Sequence, residues 1–217
     1  MKQIPVIVDT DPGVGDVQAM VMALKSKKLN VKLVCSTAGN VNIEHTTKNM
    51  LYFVKMFSPT TKTARGVGKP LIKEFVDASD VHTENGLGGF IVPQTDYKVD
   101  YEDVVEGLYE TILNCDQKIT IITLGPVTNI ASLLLKHPQI KEKIEKMYCM
   151  IGSINGTGNV TEYAEYNAFC DPDALKVLIE SGIKMVFFPK QLGENTKILQ
   201  KKFTEHKIKT EYHKIIK

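Results

Sequence analysis

Three carboxylates fall within eight residues directly after an apolar run, at Asp9, Asp11 and Asp16. Grouped carboxylates repel one another unless a positive group is bound or some of them are protonated. A hard divalent cation relieves this repulsion, and oxygen ligands without His or Cys favour Ca²⁺ or Mg²⁺ over zinc. A purely structural alternative also exists, in which Asp9 or Asp16 caps the next helix and Asp11 makes an Asx-turn.

The elements that must position these carboxylates are predicted by the pattern of apolar residues. Continuous runs rich in Val and Ile, without polar alternation, are typical of strands covered on both faces. These runs are Ile4–Val8, Val31–Cys35, Ile119–Thr123, Met147–Ile151 and Met185–Phe188. Segments with helical spacing alternate with them, at Val17–Lys27, Glu44–Phe57, Tyr101–Asn114, Val127–Leu135 and Pro172–Ser181.

This alternation predicts an α/β fold, an open and mostly parallel sheet with helices on both faces, as in Rossmann-like proteins. Ligands of such sheets bind beyond the carboxyl ends of the strands, which is where the acidic residues fall. Residues 58–99 are predicted to be mostly loop. Residues 1–190 are predicted to form the α/β domain, and residues 191–217 a basic tail with seven Lys against three Glu.

Composition narrows the class of protein. The 217 residues are 43% hydrophobic and carry a net charge of +2, so charge gives no argument for a nucleic-acid partner. The four cysteines lack C-x-x-C spacing and are interpreted as free thiols in a reducing compartment. No apolar stretch reaches the length of about 20 residues that spans a bilayer, and the first residues lack a signal-peptide pattern. A cytoplasmic protein without a membrane partner is expected.

The acidic segment Asp9-Thr-Asp-Pro-Gly-Val-Gly-Asp16 resembles the D-x-D-x-G-x-D-D motif of the calcium-dependent nucleoside hydrolase family. The resemblance implies that Asp11 and Asp16 bind Ca²⁺ and that Asp11 is the general base acting on a calcium-bound water. It also implies a departure, because Gly15 stands where the family has an Asp that contacts ribose hydroxyls.

Three further motifs follow in the order found in the family. Thr37-Ala-Gly-Asn40 is similar to the A-G-N loop, whose Asn reaches the ribose, although Gly-Asn alone is also common turn chemistry. The loop around His82 is similar to H-G-x-x-G-L-G-G, whose His lies near the base. Leu-Gly-Pro-Val-Thr-Asn-Ile-Ala, residues 124–131, resembles G-P-L-T-N-I-A, and the resemblance implies that the Leu124 carbonyl is a calcium ligand. Thr128 and Asn129 are assigned to structure, as a helix start.

The longest match is Gly-Asn-Val-Thr-Glu-Tyr-Ala-Glu-Tyr-Asn, residues 158–167, which resembles G-N-x-T-P-x-A-E-[FW]-N. The resemblance implies that Asn159, Glu165 and Asn167 hold the ribose, and amide and carboxylate groups suit sugar hydroxyls. Asp171, in the D-P-x-A motif that follows, is expected to cap the next helix.

Membership of this family implies a hydrolase that cleaves the N-glycosidic bond of a purine or pyrimidine ribonucleoside to give base and ribose. The family is often dimeric or tetrameric, so a homo-oligomer is also compatible with the resemblance. Gly15 and the lack of a late H-D motif after Pro189 leave two alternatives open. One is an impaired relative that binds nucleosides or serves in assembly, and the other is a truncated reading frame. Base preference does not follow from these motifs.

Overall fold

The computed structural model describes residues 2–79 and 83–195, and six of its strands form one parallel sheet. The strand order is β3-β2-β1-β4-β5-β6, and every adjacent pair is parallel. The strands are β1 Ile4–Thr10, β2 Leu29–Ser36, β3 Lys62–Ala64, β4 Ile119–Thr123, β5 Ile144–Met150 and β6 Met185–Phe188. The predicted open, parallel α/β sheet is therefore confirmed.

Helices connect the strands and cover both faces of the sheet. They are α1 Val14–Lys25, α2 Ile43–Phe57, α3 Val104–Leu113, α4 Thr128–Lys136, α5 Tyr166–Cys170, α6 Pro172–Glu180 and α7 Lys190–Asn195, with a 3₁₀ turn at Pro138–Lys143. Helices α1 and α2 bury side chains such as Met20 and Phe53 in one apolar cluster. Helices α3, α4 and α6 bury Leu108, Ile130 and Leu178 in a second cluster on the other face.

Several element boundaries differ from the sequence prediction. Strand β1 continues through Asp9 and Thr10 because both pair with β2, so the first carboxylate belongs to the strand. Helix α1 begins at Val14 instead of near Asp16, since Gly13 occupies the N-cap and the Asp16 carboxylate accepts its N–H at 3.0 Å. Strand β3 and helix α5 were missed, because three and five residues are too few to show a period.

The order of the strands creates a crevice between β1 and β4. The chain runs outward from β1 through β2 and β3, and then returns to build β4, β5 and β6 on the other side. The connections after β1 and β4 therefore leave in opposite directions, which opens a cleft at the carboxyl ends of these two strands. Of the helices in the described residues, none is long and apolar enough to cross a membrane.

Candidate active site

A cavity of about 250 Å³ opens at this crevice. Its walls come from the segments that follow β1, β2, β3, β4 and β5. The lining residues are Asp11, Asp16, Asn40, Ala78, Leu124, Met150, Asn159, Val160, Glu165, Tyr166 and Asn167. A second cavity of about 260 Å³ lies at the opposite edge of the sheet. Its carboxylates, Glu110 and Asp116, are both exposed. The chemistry therefore concentrates in the crevice.

The acidic residues of the β1 loop are held away from water. Asp9 and Asp11 are buried and Asp16 is half-buried. Burial raises the pKa of Asp9 to about 7 and that of Asp16 to about 6. The pKa of Asp11 lies well above its ordinary value, first because of burial and then because of the neighbouring Asp16 charge. The fold therefore keeps three carboxyl groups where ionisation is unfavourable without a nearby positive charge.

Asn40 holds Asp11 and Asp16 in their relative positions. Its backbone N–H donates to Asp11 Oδ2 at 2.8 Å, and its side-chain Nδ2 donates to the Asp11 carbonyl at 2.9 Å and to Asp16 Oδ2 at 3.0 Å. Asp11 Oδ1 is buried and has no hydrogen-bond partner in the described part of the chain. One oxygen of the candidate base is thus fixed and the other is left available.

Two glycines clamp the Asp11 carboxylate, and sequence reasoning did not assign them this role. A Cβ added to Gly39 would lie 2.8 Å from Asp11 Cγ, and one added to Gly125 would lie 2.6 Å from the same atom. Neither space admits a methyl group without displacement. The signal was the Gly in each of the motifs Ala-Gly-Asn and Leu-Gly-Pro, to which no packing role had been assigned.

Asp9 lies outside the cavity lining and is bonded to Asn129 within the structure beneath it. Its Oδ1 accepts a hydrogen bond of 2.7 Å from Asn129 Nδ2, which also donates to the Ser36 carbonyl at 2.8 Å. Asn129 Oδ1 accepts from the Val67 N–H at 3.0 Å. Asn129 therefore joins the ends of β1 and β2 to the loop after β3, so its role is structural. It does not cap α4 as expected, because the N-cap of that helix is Val127 and no side chain bonds there.

Glu165 and Asn167 are fixed by the backbone around them. Glu165 caps α5, with Oε1 accepting from the Asn167 N–H at 2.9 Å and Oε2 accepting from Gly152 and Ala168 at 2.8 and 3.2 Å. Asn167 Nδ2 donates to the carbonyls of Leu124 and Met150 at 2.9 and 2.8 Å. The carboxylate and the amide are therefore presented to the cavity in set orientations.

The structure brings seven of the eight predicted site residues to one cavity. They are Asp11, Asp16, Asn40, Leu124, Asn159, Glu165 and Asn167. His82 lies outside the described residues. Gly15 is exposed on the first turn of α1, next to Asp16. Asp171 caps α6 as expected, with Oδ1 accepting from the Ala174 N–H at 2.9 Å.

A doubly wound parallel sheet with carboxylates and amides at its switch point is the arrangement found in α/β proteins whose ligands bind at the carboxyl ends of the strands. The chain belongs to the inosine-uridine preferring nucleoside hydrolase family, whose model matches residues 6–216. The division at residue 190 stays a prediction.

Two relatives illustrate the similarity within the family. The pyrimidine-specific ribonucleoside hydrolases RihA of Salmonella paratyphi A and Salmonella agona are both 39% identical to this chain over 184 residues. The aligned region is 84% of this chain and 59% of each relative, so the chain spans about 59% of their length.

Solved structures support the same placement. A purine-preferring ribonucleoside hydrolase from Gardnerella vaginalis superposes with a TM-score of 0.89 at 27% identity, over 98% of this chain and 69% of that one. An inosine-uridine preferring nucleoside hydrolase from Bacillus anthracis gives a TM-score of 0.76 at 21% identity, over 94% of this chain and 71% of that one. The second similarity concerns the fold alone.

Proposed function

We propose that this protein hydrolyses the N-glycosidic bond of ribonucleosides, releasing a free base and ribose. The observation that carries the proposal is the Asp11 carboxylate, which is buried in the crevice with Oδ1 unpaired in the described part of the chain. A base of raised pKa, positioned beside amides that suit a sugar, is what proton removal from an attacking water requires. The names of the family and of its relatives point to the same reaction.

The donor set fits a calcium ion. Among the described residues, no three His, Cys, Asp or Glu side chains make a complete metal site on their own. The Asp11 and Asp16 carboxylates with the Leu124 carbonyl instead provide the mixed oxygen ligands that Ca²⁺ accepts. A cation there would balance the buried carboxylates whose pKa values are raised. When bound, it would lower the pKa of a coordinated water, whose proton a neighbouring carboxylate could then accept.

Amide groups around the cavity would orient the sugar. Asn40 Oδ1, Asn159 Nδ2 and Asn167 Oδ1 have no hydrogen-bond partners among the described residues, whereas the opposite atom of each amide is engaged. Together they offer two acceptors and one donor, and a hydroxyl can pair with either kind of group. Glu165 adds a carboxylate at 2% exposure, whose negative charge would favour the positive charge that develops on the sugar ring.

The proton path is set by Asp11. Its fixed Oδ2, bonded to the Asn40 N–H, keeps Oδ1 directed away from that loop, so Oδ1 is the atom that accepts a proton from the attacking water. His82, which the resemblance places near the base as a substrate-binding residue, lies outside the described residues.

The same features support a proposed binding partner and cellular location. The partner is a small-molecule nucleoside, neither nucleic acid nor membrane. The cysteines in the described chain form no disulfide, which fits a reducing compartment and a cytoplasmic location.

Release of ribose tests the proposal directly. Incubation with uridine or inosine and millimolar Ca²⁺ should produce reducing sugar, and removal of the metal with a chelator should stop production. Catalysis that persists after exhaustive chelation would refute the calcium assignment, whereas the absence of ribose release from any common ribonucleoside under saturating Ca²⁺ would refute the hydrolase.

A second candidate function is a nucleoside-binding protein with little turnover, and Gly15 favours it. Gly15 is exposed on α1, where a Cβ meets nothing within 4 Å, so the position lacks a carboxylate but has room for one. Binding of a ribonucleoside in calorimetry, together with the absence of ribose release, would support this function.

We predict that Gly15→Asp raises kcat/KM at least about tenfold, because one charge-assisted hydrogen bond to a sugar hydroxyl contributes about 1.5–3 kcal/mol. The matched control is Gly15→Ala, which adds a side chain and about 1 kcal/mol of helix propensity but no carboxylate. Steady-state kinetics and thermal unfolding of both variants separate the two effects. An equal gain in kcat/KM for Ala would show that the carboxylate is irrelevant.

A further inference from the structure

The Tyr166 hydroxyl connects three separate parts of the site. Tyr166 begins α5, and its Oη lies 2.6 Å from the Gly39 carbonyl and 3.1 Å from the Val76 carbonyl. One phenolic proton is therefore shared between two backbone acceptors. Burial raises the pKa of Tyr166 far above its ordinary value, so the hydroxyl remains protonated.

Each acceptor lies close in the chain to a residue that lines the cavity, Gly39 beside Asn40 and Val76 two residues before Ala78. Gly39 packs on the Asp11 carboxylate and precedes Asn40, which holds Asp11 and Asp16. Val76 belongs to residues 71–78, which we name the strap.

The strap passes the cavity and is held by hydrogen bonds at several residues. The Leu71 N–H donates to Asp171 Oδ2 at 2.9 Å, and Lys73 Nζ donates to the Phe169 carbonyl at 2.8 Å. At its far end, the Ala78 N–H donates to the Asn40 carbonyl at 3.1 Å, and Ala78 lines the cavity. Between these points, the Tyr166 hydroxyl adds a second link, because it contacts both Val76 of the strap and Gly39.

Tyr166 is also tied to the sugar-binding side of the cavity. Its backbone N–H donates to Asn159 Oδ1 at 2.8 Å, and the next residue is Asn167. Movement of α5 would thus displace Asn159, Asn167 and the strap together.

We propose that the Tyr166 hydroxyl is a positioning group that fixes the strap against the Gly39–Asn40 loop and thereby sets the sugar pocket for its ligand. The assignment of that ligand as ribose rests on the proposed function. Tyr166 acts on binding through the backbone it holds, and it takes no part in proton transfer.

The test removes only the oxygen atom, in Tyr166→Phe. Hydrogen exchange of the strap amides should become about fivefold faster, since one net hydrogen bond is lost. The dissociation constant for ribose, measured by calorimetry in Ca²⁺, should rise five- to tenfold, and KM should rise more than kcat falls. Tyr109→Phe is the matched control, because the Tyr109 ring stacks on His137 at 4.1 Å and lines no part of the cavity.

The outcomes decide the proposal separately from the hydrolase function. Unchanged strap exchange would overturn it, and so would faster exchange with unchanged ribose affinity. If the wild-type protein releases no ribose, the hydrolase fails, but exchange and ribose binding still test Tyr166. If the wild type also binds no ribose, the role in sugar binding is overturned.

Discussion

Replacement of Asp11 by Asn is expected to lower ribose release by at least about 10³-fold while leaving the protein folded. The carboxylate is both the proposed proton acceptor and a proposed ligand of Ca²⁺, and loss of general base catalysis alone costs about 10²- to 10⁴-fold. Loss of a charged ligand should add a decrease in Ca²⁺ affinity, which calorimetry would measure.

Without Ca²⁺, Asp11→Asn should be more stable than the wild type, although it is less active. The pKa of Asp11 is raised by burial and by Asp16, so ionised Asp11 destabilises the calcium-free fold. Asn removes that charge and keeps an oxygen that accepts from the Asn40 N–H. The melting temperature without Ca²⁺ should therefore rise, by about 2–4 °C for each kcal/mol gained.

Asp116→Asn is the matched control, because Asp116 is exposed at the opposite edge of the sheet. Wild-type activity in Asp11→Asn would exclude Asp11 as the base. A large fall in melting temperature without Ca²⁺ would instead show that the carboxylate stabilises the fold.

The second large effect is expected at a residue without functional groups. Gly125→Ala places a methyl carbon in a clash with the Asp11 carboxylate, because it would lie 2.6 Å from Asp11 Cγ and 3.0 Å from Thr37 Cγ2. Overpacking of this kind typically costs about 1–3 kcal/mol in stability. Displacing the carboxylate should also reduce kcat/KM by about 10²-fold, since an error near 1 Å in a catalytic group has effects of that size.

A double-mutant cycle identifies the cause of this loss. If the added methyl group clashes with the Asp11 side chain, truncation in Asp11→Ala should relieve much of the destabilisation produced by Gly125→Ala. Gly193→Ala is the control, because a Cβ there meets nothing within 4 Å. Additive losses of stability in the double variant would show that the clamp on Asp11 is not the source.

The described residues show which predictions the sequence could make. Val- and Ile-rich runs gave the central strands correctly, because a strand buried on both faces has to be apolar along its whole length. The three residues of β3 carry no such pattern. They form a strand because β2 offers a free edge, with Leu33, Val34 and Cys35 opposite Lys62, Thr63 and Ala64.

For the site, too, some features were predicted from the sequence and others became clear only in the structure. The motifs named Asp11, Asp16, Asn40, Leu124, Asn159, Glu165 and Asn167, and the cavity contains all seven. The residue types alone did not distinguish Asp9 from Asp11 and Asp16, and only the family resemblance selected the last two. The end of β1 separates Asp9 from Asp11, because Asp9 is inside the strand and bonds Asn129, whereas Asp11 follows the last paired residue.

The sequence by itself determined the fold class, the family and the set of polar residues, because these depend on residue types and on spacing along the chain. Only the tertiary structure decided how those residues are held: Gly39 and Gly125 against Asp11, Asn129 beneath Asp9, and the Tyr166 hydroxyl between two loops. These contacts join residues that lie up to 127 positions apart. Their existence depends on the packing of the sheet and on its loops, and local patterns in a single sequence carry no record of such distances.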